Sequence, residues 1–345
     1  MSEKKPKPPK DVTLSPEILP LTHDRFFTET FQTKRLAKAF LRKRLPKSLL
    51  KRLDLEALTI EPRHVTDKLF RELSTDVVYR VPVVGTTDHV DFFVILEHKS
   101  FDDRLTIFQL WGYVFYICLR EFRRAKDEKR VDAAYRLPPV IAIILHHGES
   151  KFSGATQLSE LFVTLPGIEK YLPKLEAILI DLNTIPDEDV PNDPDVPELK
   201  VVMMVLKLVF RKDVGTKIKT ILEELKPYSD DPEMRRLIRL VWLYLVSSAK
   251  HLERNYEVLF ETIRNVVEDE TMSTMLEKWA SEREARGEAK GEAKAILNVL
   301  LARFKKVTKE IENGVQGMTD STALDSLVVH AATCKSLEEF AKALK

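Results

Sequence analysis

Cysteine is almost absent from this chain. Cys118 and Cys334 are its only two, far apart and with no secretion signal ahead of them. That usage excludes a disulfide-built scaffold and reads as two reduced thiols in a cytoplasmic protein. Long apolar runs are also missing. None reaches the roughly 18 residues that a membrane-spanning helix needs, so no membrane partner is expected. Charge of one sign is not in excess: 55 Lys and Arg stand against 54 Asp and Glu, a formal net charge of +1. Overall charge therefore names no partner, and any nucleic-acid contact has to come from local patches. There is no glycine-rich phosphate loop, no nucleophilic serine or cysteine constellation and no zinc-finger spacing.

What is present bounds the architecture. A chain of 345 residues suggests two domains or one domain with a long appendage. Hydrophobic residues make up 44% and charged residues 32%, enough for a buried core and for long exposed helices. Residues 1–20 are basic and Pro-rich without an apolar stretch, and are expected to form a disordered tail.

Phe26, Phe27, Phe31, Leu36, Ala37, Phe40, Leu41 and Leu45 recur at helical spacing. They predict a helix capped by Thr22 or Asp24 and broken at Pro46. Its opposite face carries a basic run that includes Lys38 and Arg42. Such a run is either a solvated face or a phosphate-contacting surface. A first strand is expected over 55–60. Two β-branched runs, 77–84 and 90–96, flank Gly85-Thr86-Thr87-Asp88, which reads as a hairpin turn. The segment 102–126 predicts a helix apolar around most of its circumference, hence largely buried. Its end carries a second basic cluster with Arg123 and Arg124. Further strands are expected over 140–145 and 175–182. Together these elements predict an α/β fold, with a mixed central sheet flanked by helices over 21–190.

After the linker PNDPDVP no strand pattern remains. An all-α C-terminal part follows, read as a helical region over 198–268 and a further one over 270–345. The latter opens with a long charged helix over 271–306. Within it, EAR-GEAK-GEAK stacks like charges four apart, each pair opposing the helix by roughly 0.2–0.5 kcal/mol. Gly287 and Gly291 each weaken it by about 1 kcal/mol against alanine. This stretch is expected to be a hinge or a self-association element, which makes a homo-oligomer through the C-terminal helices an expectation.

The chemistry-bearing stretch is Ser74 to Ser100, STDVVYRVPVVGTTDHVDFFVILEHKS. Asp76 opens one apolar run, Glu97 closes the next, and Lys99 follows. Pairing of the two runs brings the three residues to one end of a hairpin, and the period of two puts Glu97 and Lys99 on one face. Two carboxylates suit a Mg²⁺ ion, which keeps waters and substrate oxygens as its other ligands. A lysine beside them can hold a water or balance charge on a phosphate. The plain alternative is an ordinary hairpin with a surface ion pair. Spacing alone leaves both readings open, although a carboxylate directly after an apolar run needs a partner.

Ordered neighbours extend the pattern. HDRFFTETF in the first helix, STDVVY, VILEHKS, LHHGESKF and LIDLNTIPDEDV follow one another, with GEAKGEAKA further on. In that order they resemble the motifs of the Rpn family of recombination-promoting nucleases, also described as YhgA-like transposases, within the PD-(D/E)XK superfamily. The resemblance covers about residues 22–190, with a looser match beyond.

The resemblance implies a PD-(D/E)XK-like core and a metal-dependent DNA endonuclease linked to recombination or mobile elements. DNA is the implied partner, and Mg²⁺ the implied cofactor, with Mn²⁺ or Ca²⁺ as substitutes. It places Asp76 and Glu97 at the metal and Lys99 beside them as catalytic residues. Lys99 stands where the family often has glutamine, Thr28 where it has lysine and His146 where it has tyrosine. Glu29 is the candidate for an additional acid on the first helix, with Asp24 behind it, and Gln109 a candidate supporting residue. Lys38, Arg42, Arg123 and Arg124 are candidate nucleic-acid contacts. The rival expectation is a catalytically inactive DNA-binding or protein-interaction module on the same scaffold.

Overall fold

The computed structural model of the protein describes residues 21–62, 75–85, 91–249, 251–252, 256–267, 270–318 and 320–344. The expected N-terminal tail and turn residues 86–88 lie outside the described residues. So do the side chains at 282–288, in the first part of the charged repeat. The chain forms two compact units, Met1–Val267 and Glu268–Lys345.

The first unit is built on a five-stranded mixed sheet in the order β1-β2-β3-β4-β5. The strands are β1 (Thr59–Glu61), β2 (Val77–Pro82), β3 (Asp91–Lys99), β4 (Val140–His146) and β5 (Ala177–Asp181). The first three run antiparallel in turn, whereas β4 and β5 extend the sheet in parallel. The change of sense follows from the connections. Strands β2 and β3 are neighbours in the chain, and Gly85 after β2 has a φ of +78°, which suits glycine, while the helix α4 (Thr106–Asp127) carries β3 over to β4. Pro82 sits at the end of β2, where its missing N–H removes least from the ladder.

Strand β3 is covered on both faces, and all residues from Phe92 to His98 are buried. Phe93 and Ile95 pack with Ile107, Leu110, Tyr113 and Ile117 of α4. Each such buried side chain contributes about 1.5–3 kcal/mol. Phe92, Val94, Leu96 and His98 alternate to the other face. There α1 (His23–Phe31) and α2 (Lys34–Arg44) lie, with Tyr79 of β2 donating to the Phe31 carbonyl at 2.8 Å and Phe27 stacked on His98.

Several expected boundaries shift for local reasons. The helix expected from Thr22 to Pro46 is two helices. The Thr30 hydroxyl donates back to the Phe26 and Phe27 carbonyls, and the Thr33 hydroxyl donates to the Thr30 carbonyl, so the chain leaves α1 and restarts. Thr22, not Asp24, caps α1. The first strand falls later than 55–60, because Asp54 Oδ1 accepts from the Glu56 and Ala57 amides and curls that segment into a turn. Helix α4 starts where Asp103 accepts from the Leu105 amide. It ends at Asp127, and Lys129, just past the C-cap Glu128, takes a left-handed φ of 56° that stops the helix. Contrary to the expectation of a largely buried helix, one face of α4 is open: Phe108 and Phe115 are more than half exposed.

A short helix, α3 (Lys47–Leu50), precedes β1. After β5 the first unit continues through α5 (Glu198–Leu208), α6 (Val214–Glu223), α7 (Pro232–Ser248) and α8 (Tyr256–Val266). Helix α7 packs on α1 and α5 on α2. The second unit holds the long helix α9 (Glu270–Phe304), continuous through Gly287 and Gly291, then α10 (Lys309–Gln316), α11 (Ser321–Thr333) and α12 (Leu337–Ala343). Ile296, Leu300, Val315, Leu324 and Phe340 form its core. Among the described residues, no helix is long and apolar enough to cross a membrane.

Candidate active site

The pairing of β2 with β3 sets Val77 opposite Leu96. One step further along that register, Asp76 faces Glu97, so the two acids belong to the same face of the sheet. Both are 8% exposed. Asp76 Oδ2 accepts from the main-chain N–H of His98 at 2.8 Å. Glu97 Oε2 accepts from the Thr75 hydroxyl at 2.9 Å, and its Oε1 lies 3.1 Å from Lys99 Nζ. Lys99 is also 3.8 Å from Asp103, just ahead of α4. The structure therefore brings Asp76, Glu97 and Lys99 to one end of β3. Contrary to the boundary read at residue 96, β3 runs on to Lys99, because Glu97, His98 and Lys99 pair in parallel with Ile144, Leu145 and His146 of β4.

The same edge collects two more motif segments. Strand β5 sets Asp181 beside His146, and Asp181 Oδ1 meets His146 Nδ1 at 3.1 Å. Asp181 also accepts from the amides of Asn183 and Phe152. Asn183 in turn donates to the Gly148 and Ser150 carbonyls. Gly148 has to be glycine. A Cβ there would stand 2.7 Å from His146 Nε2 and 2.9 Å from the Ser100 carbonyl. Asp102, 3.8 Å from His146 Nε2, takes two hydrogen bonds from Ser153. The hydroxyl bond from Ser153 comes first among the causes that hold its carboxyl below the usual range.

On the opposite face, His98 stacks between Phe27 and His147. Burial lowers the pKa of both histidines, His147 the further, since His98 and His23 also crowd it. Asp24 of α1, 3.5 Å from His98 Nδ1, acts in the opposing direction.

The remaining candidates are placed elsewhere. Glu29 pairs with Arg236 of α7 at 2.8 Å, so this acid is turned to a helix and not to Asp76 and Glu97. Asp24 is the α1 acid that reaches the end of β3. Gln109 is exposed, on the flank of α4 outside the buried stripe of Thr106, Leu110, Tyr113 and Ile117. Lys38 and Arg42 both pair with Glu56. Arg124 pairs with Glu121 and Glu128, and Arg123 is exposed. Nothing in the spacing of the sequence flags Asp181 and His146 as partners. The only signal is that each closes a strand.

The donors at Asp76 and Glu97 are hard carboxylate oxygens. Among the described residues no group of three His, Cys, Asp or Glu side chains could hold a metal. Two hard carboxylates are the kind of donor set that Mg²⁺ takes, with water and phosphate oxygens completing its shell.

Comparison with known proteins agrees with the motif order. A family model described as "Putative transposase, YhgA-like" matches residues 21–235. The chain is 22% identical over 262 residues to the Inactive recombination-promoting nuclease-like protein RpnE of Escherichia coli K12, covering 75% of this chain and 82% of that protein. It is 25% identical over 169 residues to the Recombination-promoting nuclease RpnD of Escherichia coli O157:H7, covering 49% of this chain and 61% of that protein. Against the Recombination-promoting nuclease RpnA of Escherichia coli K12 it is 25% identical over 170 residues, covering 49% and 54%. The chain thus spans less than two thirds of the length of the latter two. No solved structure matches.

Proposed function

This chain belongs to the YhgA-like transposase family, whose named relatives include recombination-promoting nucleases, and from that premise we propose that it is a divalent-metal-dependent DNA endonuclease of PD-(D/E)XK type. The observation that carries the reading is the grouping of Asp76, Glu97 and Lys99 at one end of β3, with both acids buried and hydrogen-bonded. Asp76 and Glu97 are the residues that would hold Mg²⁺, with Mn²⁺ or Ca²⁺ as substitutes. The ion supplies charge stabilisation at the phosphate and a more acidic bound water.

The protein's own residues set up the chemistry. The His98 amide fixes one oxygen of Asp76, and Thr75 fixes one oxygen of Glu97, so neither carboxylate has to be ordered when substrate arrives. Lys99, braced between Glu97 and Asp103, carries a positive charge within reach of whatever binds the two acids. There it holds the attacking water or offsets negative charge on the phosphate.

The test is plasmid cleavage in Mg²⁺ by the full chain and by Asp76→Ala and Glu97→Ala. The parent is expected to nick or linearise DNA, and both variants to lose the activity. Variants that cut as fast as the parent remove these residues from the site. One observation favours a second reading, a non-cutting DNA-binding or interaction module: a relative covered over 82% of its length is named inactive. On that reading DNA binding persists and falls steeply with salt, while metal changes nothing.

A further inference from the structure

Two loops meet beyond the end of β3. One is Ser100–Leu105, by which the chain leaves Lys99, and the other follows β4. They are tied together, since Asp102 of the first accepts from the Ser153 amide and hydroxyl of the second and Gly148 lies against the Ser100 carbonyl. Asp103 is held by Lys99 and by the Leu105 amide. Asp102 and Asp103 thus reach His146 and Lys99 on the sheet edge that carries the candidate active site. Phe101 stands between these anchored residues, yet it is 65% exposed. Its Cα is at most about 7 Å from that of Lys99. An isolated apolar side chain on a surface needs no explanation, but this one is fixed in water next to the proposed chemistry. The same two loops carry Arg104 and Lys151, both exposed and neither in an ion pair among the described residues. The basic residues that the sequence offered as DNA contacts are less available. Lys38 and Arg42 share Glu56, and Arg124 is taken by Glu121 and Glu128.

We propose that the two loops form a ledge for single-stranded or locally unpaired DNA. The Phe101 ring stacks on a base next to the scissile phosphate, and Arg104 and Lys151 contact the flanking phosphates. The proposal rests on the nuclease reading for its ligand and adds the state of the strand. Stacking needs the open face of a base, and in a continuous duplex the neighbouring base pairs cover it. Exposed aromatic rings beside cations are the means by which proteins hold single strands. Because the residues around Phe101 are already anchored, the ring binds without the cost of ordering a loop. A protein partner is the less suited occupant. The core of a protein interface is depleted of charge, whereas Phe101 stands among Lys99, Asp102, Asp103 and Arg104.

Fluorescence anisotropy tests the proposal, with a fluorescein-labelled DNA strand of about 20 nucleotides, longer than one such binding site, and with the same strand fully paired. The full chain is used at low salt in EDTA, so that binding is read without cleavage. The parent is expected to bind the single strand more tightly than the duplex. Phe101→Ala is expected to weaken single-strand binding by about tenfold or more. Its duplex binding and its slope of log Kd against log salt are expected to stay as in the parent. Phe101→Trp is expected to keep the parent's affinity. Arg104→Ala and Lys151→Ala are each expected to reduce the salt slope for the single strand by about 0.7. All three positions are exposed, and the thermal midpoints of the variants are expected to match the parent's. A parent that does not prefer the single strand overturns the proposal. So does a Phe101→Ala variant that binds it as tightly as the parent, or that loses both forms equally. Failure of the nuclease reading looks different. A chain that never cuts in Mg²⁺ but depends on Phe101 for single strands keeps the ledge and loses the chemistry. One that cuts while Phe101→Ala binds as the parent does keeps the chemistry and loses the ledge.

Discussion

Two carboxylates stand on the same face of the same sheet edge and are held in opposite ways. Asp181, at the end of β5, accepts from the Asn183 and Phe152 amides and from His146. Two of those donors are main chain, so the carboxylate brackets two loops and has little freedom left. Glu97, two strands away, is held by the Thr75 hydroxyl and the Lys99 ammonium. Both are side-chain donors that can rotate toward another acceptor. A carboxylate saturated by backbone fixes architecture. One held by side chains can exchange a partner for an ion, a water or a phosphate. Under the proposed function, chemistry belongs to the β3 half of the edge and structure to the β5 half.

The largest expected effect breaks the first half. Glu97→Gln keeps the size of the side chain and removes its charge. Metal-dependent cleavage is expected to fall by about 10³-fold, with a thermal midpoint close to the parent's. A variant that unfolds instead would make Glu97 a second bracket and erase the contrast.

Asp181→Ala reverses the outcome. It leaves two amides and a buried histidine without their acceptor, and is expected to destabilise the fold by about 3 kcal/mol in urea titrations. Cleavage per folded molecule is expected to be unchanged. A stable but inactive Asp181→Ala would move this acid into the chemistry. Gly148→Ala is smaller in effect. The added methyl meets the Ser100 carbonyl and the His146 ring, which costs about 1–3 kcal/mol of overpacking. It lies between the two halves, so a loss of rate beyond the loss of stability would show that they are mechanically joined.

The contrast also marks how far the sequence could be read. The hairpin and its two acids were legible because β2 and β3 are neighbours in the chain, and period two then dictates which side chains share a face. The strands β4 and β5 were legible as apolar runs, but their partners were not. The pairing of His146 with Asp181 spans 35 residues and depends on a parallel register that no local pattern encodes. Glu29 shows the same limit on a helix. Heptad-like spacing says which residues of α1 are buried, not which neighbour the others meet, and here the neighbour is Arg236 of α7. The open face of α4 was missed for a related reason, since an apolar stripe looks the same whether or not the chain covers it.

The smallest effect concerns a third acid, in the loop after β5. Asp187 accepts from Lys207, Arg211 and Lys217, and so ties the loop to α5 and α6. Burial pushes its carboxyl up, but the hydrogen bonds from Lys217 and Lys207 and the charge of Arg211 outweigh it and hold the pKa at about 2. The folded value lies below that of the unfolded chain, near 3.9. Its contribution is therefore complete above the unfolded value and is lost as pH falls toward 2. A shift of that size corresponds to about 2.5 kcal/mol. With the side chain 23% exposed, solvent screening leaves about 1–2 kcal/mol. About half of that is gone by pH 3. Asp187→Asn is expected to be less stable than the parent by that amount at pH 5, with the gap roughly halved at pH 3. A gap that does not change with pH would mean that Asp187 acts through hydrogen bonds alone. It would then resemble Asp181, and the division between structural and ionic acids would hold only at β3.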